Sequence, residues 1–253
     1  MFEGLDDINW EQFGDTHIAI GMKTREIPDC VRNMIHPDHK EREFAIACLL
    51  GEGQHLGMLS NATPHIIPYV LEVLVDQHYE QRGYLIYGIA RMFEKMYFDL
   101  ETFRYLARIL QVYDALKKGY PLYRRLLSDA DPEVRLAAVQ VLVYMQDNCP
   151  DALATLLSQF MVETDTDIRH EIIGGMLKLV KDTQIYRTEG HRDSEQNIIS
   201  LWNYLKNNGS FDEQVHFARS FSNYRKFGFI YNKEISAFVE QTLKHADSIR
   251  TTD

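Results

Sequence analysis

The sequence predicts an all-α chain: a single domain over residues 1–253 built as a stack of helical hairpins, an α-solenoid winding as a right-handed superhelix. Three observations predict it. A short pattern opening on an aspartate recurs along the chain, twice in a register of 34 residues, at Asp131 to Leu142 and at Asp165 to Met176, which is inside the range of helical-repeat periods. Within each copy the apolar residues follow the helical period of 3.6. Seven prolines and fourteen glycines in 253 residues are too few for the turns of an all-β chain.

Taken in order, the chain opens with Leu5-Asp-Asp-Ile-Asn-Trp10, followed by an apolar helix over Ile27–Ile35. The first copy of the pattern is Asp38-His-Lys-Glu-Arg42-Glu-Phe-Ala-Ile-Ala-Cys-Leu49. A glycine-rich connector, Gly51 to Gly57, leads to a helix over Pro64–Val75 and to a weaker copy, His78 to Ile89, with His in place of Asp and the arginine at Arg82. An extra helix over Leu100–Leu116 breaks the spacing. Helices over Tyr120–Leu127 and Leu153–Val162 then precede the copies at Asp131 and Asp165. The clear repeats occupy residues 25–181. Thr183–Gln196 is polar and reads as a loop, and helices near Asn197–Lys206, Asp212–Phe221 and Lys233–His245 form degenerate repeats over 195–250, as expected where a stack must be capped.

Counting from the arginine, positions +3, +4 and +7 are apolar in all four copies: Ala45, Ile46 and Leu49; Leu85, Ile86 and Ile89; Ala138, Val139 and Leu142; Ile172, Ile173 and Met176. They form one stripe that faces a core. The opening aspartate is a good N-cap, and Pro132 suits the first helical position. Each arginine lies close to the middle of the apolar stripe, where an unpaired guanidinium is costly. Asp38, Asp131 and Asp165 stand four residues before Arg42, Arg135 and Arg169, and stacking would bring the next repeat's aspartate within reach too. A ladder of Asp–Arg pairs through Asp38, Arg42, Arg82, Asp131, Arg135, Asp165 and Arg169 is therefore expected, structural in purpose.

Asp131-Pro-Glu-Val-Arg135-Leu-Ala-Ala resembles the start of the second helix of a HEAT repeat, D-x-x-V-R-x-x-A. With Leu5 to Trp10, Gly51 to Gly57 and Ala62 to Tyr69, the first 180 residues are similar to bacterial HEAT-repeat proteins of unassigned function. Similar repeats occur in lyases and chaperones of phycobilin chemistry. The resemblance implies a scaffold or binding surface, and among its bacterial uses is the immunity protein that neutralises a toxin. It also brings HEAT-fold enzymes into consideration. Deoxyhypusine hydroxylases hold two irons through His-Glu pairs at +1 and +2 of four repeats. Here only His170-Glu171 is such a pair; Glu43-Phe44, Gly83-Tyr84 and Leu136-Ala137 occupy the other three places, so most ligands are missing.

The charge argues in the same direction. Residues 1–180 hold 17 basic and 27 acidic side chains, and residues 181–253 ten of each. An acidic surface disfavours nucleic acid, including the duplex that HEAT-like DNA glycosylases hold on a basic face. It attracts a basic protein, or simply keeps the chain soluble. Cys30, Cys48 and Cys149 form neither a disulfide framework nor a thiolate zinc site. His36-Pro-Asp-His39 reads as a turn more simply than as a metal site, and Gly51 to Gly57 lacks the Gly-Lys-Ser/Thr of a phosphate loop. No catalytic constellation, metal or cofactor is predicted. The acidic N-terminus has no apolar stretch behind a basic one, and no apolar run is long enough to span a membrane. The expectation is a bacterial cytoplasmic protein that is not an enzyme.

Positions +2, +5 and +9 face away from the stripe, into the concave groove that second helices line. That places Tyr84, Tyr87 and Arg91 beside Gln140 and Tyr144, then Glu171, Gly174 and Lys178. Tyrosine and arginine are common binding hot spots; packing of Tyr84 and Tyr87 against the extra helix is the competing reading. The predicted function is binding of a protein partner on this face, with an immunity or antitoxin role against a basic toxin domain as its sharper form. A general scaffold, and an enzyme acting on nucleic acid or with a bound metal, are the alternatives.

Overall fold

Capped second helices, each carrying one buried stripe, set the frame of the structure. The computed structural model describes residues 1–13, 24–50, 61–99, 106–145, 151–186, 191–225 and 232–250. Among these residues there are twelve α-helices and no strand, an all-α helical-repeat architecture. They fall into two compact units, Met1–Tyr144 and Met145–Asp253.

The first unit opens with short 3₁₀ turns at Leu5–Asp7, Trp10–Phe13 and Thr24–Glu26. Its helices are α1 (Ile27–Asn33), α2 (His39–Leu50), α3 (Thr63–Val75), α4 (Arg82–Asp99), α5 (Leu106–Lys117), α6 (Tyr120–Leu126) and α7 (Pro132–Tyr144). α1 packs on α2, α3 on α4 and α6 on α7, while the second helices stack in the order α2, α4, α7. α5 lies against α3 and touches α4. In the second unit are α8 (Ala152–Val162), α9 (Thr166–Tyr186), α10 (His191–Asn208), α11 (Phe211–Arg225) and α12 (Lys233–Arg250). α8 packs on α9 and α10 on α11; α9 and α11 are neighbours, and α12 packs on α11.

All twelve stripe residues at +3, +4 and +7 are buried. Of the extra helix expected over Leu100–Leu116, the structure shows Leu106–Lys117, and residues 100–105 lie outside the described residues. Two expectations are corrected. The expected loop at Thr183–Gln196 is largely helical, since 183–186 complete α9 and 191–196 begin α10. Further along, Ile198, Leu201, Trp202 and Leu205, at i, i+3, i+4 and i+7, supply the buried face of α10. The second correction concerns the Asp–Arg pairs, since the opening aspartates serve as the expected N-caps. Their carboxylates cap helices: Asp38 Oδ1 accepts from the Lys40 N–H at 2.8 Å, Asp131 Oδ1 from Glu133 N–H at 2.9 Å and Asp165 Oδ1 from Asp167 N–H at 3.0 Å.

The arginines find other partners. Arg42 donates to the carbonyls of His36 and Pro37 at 2.9 and 3.0 Å, and Arg135 to those of Asp129 and Ala130 at 2.9 and 3.2 Å. Arg169 likewise holds the Phe160 and Glu163 carbonyls at 2.7 and 3.0 Å. Each thus closes the turn that precedes its own helix, satisfying carbonyls that helix geometry leaves without partners. The carboxylate comes from the next hairpin instead: Glu80 for Arg42 (2.7 Å), Asp129 for Arg82 and Glu213 for Arg169. An aspartate already spent on its own helix N-terminus leaves that role to the neighbouring turn.

The connector Gly51 to Gly57 and Cys149 lie outside the described residues. Cys30 and Cys48 are buried free thiols. In the His36–His39 segment, the Asp38 N–H donates to His36 Nδ1 at 3.1 Å, which is turn chemistry.

Candidate protein-binding face

In the first unit the exposed sides of α2, α4 and α7 carry the residues of interest. α7 is apolar nearly all round: Val134, Ala137, Ala138, Val139, Val141, Leu142 and Val143 are buried. Gln140 and Tyr144 are among the few side chains on it that reach the surface, both half-buried. On α4, Tyr84 is half-buried and Tyr87 and Arg91 are exposed, Tyr87 by 43%. At that exposure Tyr87 is not packed away under α5.

Charge and hydrogen bonding tie these residues together. Arg91 pairs with Glu94 one turn on, and the Tyr144 hydroxyl donates to the other Glu94 oxygen at 3.1 Å. Glu94 is therefore a polar link between α4 and α7 that engages both Arg91 and Tyr144.

The structure adds a residue that sequence reasoning missed. Phe44, at the same +2 position on α2, is 66% exposed. Its signal was present: a phenylalanine at a position whose counterparts are Tyr84 and Glu171. Gly88 fixes how α2 meets α4, since a Cβ there would stand 2.5 Å from Leu50 Cδ1.

The second unit presents Glu171 and Lys178 on α9, both half-buried. The folding of α11 beside α9 brings His216 onto His170, with ring centroids 4.5 Å apart and an interplanar angle of 3°. Asp212 Oδ2 lies 3.3 Å from His170 Nε2. Burial first, and then the neighbouring His170, push His216 below the ordinary histidine range. Nothing in sequence spacing announced this pair. Among the described residues no group of three or more His, Cys, Asp or Glu is placed to hold a metal ion.

Residues 120–149, which include α6, its turn and α7, match the family model of the HEAT repeat. The chain carries a HEAT repeat. No curated protein and no solved structure gives a significant match. The matched HEAT repeat contains Asp131 and Arg135, and the α3–α4 hairpin stacked on it repeats the arginine at Arg82. HEAT repeats are commonly protein-interaction modules and typically non-catalytic. No described helix is long and apolar enough to cross a membrane.

Proposed function

We propose that the chain is a non-catalytic protein-binding module that holds its partner on the second-helix face. The observation that carries this reading is the surface-reaching aromatic and polar set of the first unit: exposed Tyr87 and Arg91 with half-buried Tyr84, Gln140 and Tyr144. Large rings with polar tips bury much area at small conformational cost, and they dominate binding energy when a partner covers them. Glu171 and Lys178 are the corresponding candidates of the second unit.

In its sharper form the partner is basic, and the chain acts as an immunity or antitoxin-like protein that occludes a toxin domain. The net charge of −10 supports this, because opposite charge speeds encounter and disfavours acidic competitors. The experiment is affinity capture from the source cells at low and high salt, with mass-spectrometric identification. One stoichiometric basic partner, lost on Tyr87→Ala and weakened on Tyr144→Ala, is the expected result. A partner indifferent to both substitutions would overturn the assignment of the face. Copurified nucleic acid or metal with no protein would overturn the binding function.

A further inference from the structure

The first hairpin of the stack brings two sulfurs together. Cys30 lies in α1 and Cys48 in α2, and these helices pack on each other. The Cys30 thiol donates to the Ala45 carbonyl of α2 at 3.6 Å. Ala45 and Cys48 share one face of α2, and a helical carbonyl points toward the turn that follows it. Cys30 thus meets α2 at the level of Cys48, and its thiol also hydrogen-bonds the Cys48 sulfur. Side chains that point at each other across two packed elements meet the main geometric demand of a disulfide.

The two thiols are not equivalent. The bond from Cys30 favours negative charge on the Cys48 sulfur and holds that thiol below its ordinary range, with burial opposing it. Cys30, the donor, is pushed up by the same bond, then by burial, by charge on Cys48 and by the carboxylates of Asp29 and Glu26. Two thiols acting only as small apolar fillers would both be raised by burial. Access to the pair is narrow but present: Cys30 is 9% and Cys48 7% exposed, while their chain neighbours Val31 and Ile46 are at 0%. A small molecule reaches such a sulfur more readily than a peptide does.

We propose that Cys30 and Cys48 form a dithiol oxidised by small hydroperoxides, in which Cys48 attacks the peroxide and Cys30 closes a disulfide between α1 and α2. With hydrogen peroxide, the Cys48 thiolate attacks one oxygen. An S–O bond forms, the O–O bond breaks, and the departing hydroxide takes up the proton that Cys48 released, giving water. Cys48 is then a sulfenic acid, oxidised by two electrons. The Cys30 sulfur attacks it next: the S–S bond forms, the S–O bond breaks, and hydroxide leaves with the Cys30 proton as a second water. Two thiols and one hydrogen peroxide give one disulfide and two waters. The protein-binding face has no part in this chemistry.

The test treats the folded full chain with one equivalent of hydrogen peroxide and maps its peptides by mass spectrometry. A Cys30–Cys48 bridge should appear, and dithiothreitol should remove it. Oxidised glutathione, too bulky for the exposure left at either sulfur, should label neither Cys30 nor Cys48. In a Cys149→Ser background, which leaves only this pair, both thiols should be lost on oxidation. There Cys48→Ser should slow peroxide consumption at least about tenfold, because it removes the thiolate. Cys30→Ser, which keeps a donor beside Cys48, should stop at a sulfenic acid that dimedone traps. No bridge, a bridge that forms only in urea, a bridge to Cys149 in its place, or glutathione on either sulfur overturns the proposal. So does a Cys48→Ser chain that consumes peroxide as fast as its parent.

Discussion

Arg169 shows what one repeat arginine holds together. It donates to two carbonyls, pairs with Glu213, and lies 4.0 Å from the Phe160 ring centroid. Glu213 is equally engaged, because it accepts from the Ser210 N–H at 2.8 Å while Ser210 Oγ accepts from its N–H at 3.2 Å, a reciprocal capping box. Burial acts to raise the Glu213 carboxyl, but the bonds from Arg169 and Ser210 outweigh it and hold the group below its ordinary value of 4.5. Glu213→Gln should cost about 3 kcal/mol near neutral pH, since it strands a desolvated guanidinium. The unfolded chain takes up this proton first, so the Glu213 contribution is complete above the ordinary carboxyl value and disappears as pH falls through the lowered folded one. Urea unfolding of both proteins from pH 7 to pH 3 should show their difference shrinking in acid; a constant difference refutes the account. His216 acts at a higher pH. It too is lowered on folding, so the chain should begin losing stability as pH falls past the ordinary histidine value of 6.5. His216→Phe should remove that slope while keeping a ring against His170.

At the scale of the element, two glycines of α4 make opposite predictions. Gly88→Ala forces a Cβ to 2.5 Å from Leu50 Cδ1 and 3.2 Å from its Cβ, in a site where Leu50 is buried. It should cost about 1–3 kcal/mol, the usual penalty of overpacking. Gly83→Ala meets nothing closer than 3.4 Å and should be neutral or stabilising by up to about 1 kcal/mol. Thermal melts followed by circular dichroism decide both, and a destabilised Gly83→Ala would mean that close packing against Glu133 explains position 83. Helix existence was legible in the sequence because each buried stripe repeats at helical spacing, and the caps at Asp38, Asp131 and Asp165 were legible because their preference is local. The loop expected at Thr183–Gln196 failed because polarity over a short window does not distinguish a turn from the wet side of a helix. Ser210-x-x-Glu213 and Asn232, whose Oδ1 accepts from the Glu234 N–H at 2.9 Å, were the overlooked start signals of α11 and α12.

For the molecule as a whole, an open-ended stack needs its terminal hairpin covered, and the N-terminal segment does this in the first unit. Phe2 meets Tyr69 edge-on, Phe13 packs on His65, and Asp6 pairs with Arg32, so the segment spans α3 and α1. Trp10 is its anchor, buried and donating from Nε1 to the Leu5 carbonyl at 3.0 Å. Trp10→Ala should cost about 3–5 kcal/mol and release the segment. Protease cleavage before Ile27, ahead of global unfolding, is the measurement, and a segment that stays resistant would refute its capping role.

The sequence by itself determined most of the segments that become helices and which stripe of each repeat's second helix is buried, because these depend on spacing along one chain. Only the tertiary structure decided what those helices do to one another. Asp–Arg spacing pointed to pairs within a repeat and put the next repeat's aspartate in reach as well; only the structure shows that the carboxylates for Arg42, Arg82 and Arg169 are Glu80, Asp129 and Glu213, 38 to 47 positions away. The same holds for the face: Tyr84, Tyr87 and Tyr144 could be named from register, but the Glu94 bridge, the exposure of Phe44 and the carboxylates beside Gly83 arise when α2, α4 and α7 come side by side. Local spacing carries a helix's own periodicity and caps; which side chains meet across a stack depends on the offset between helices, and packed contacts such as Gly88 against Leu50 set that offset.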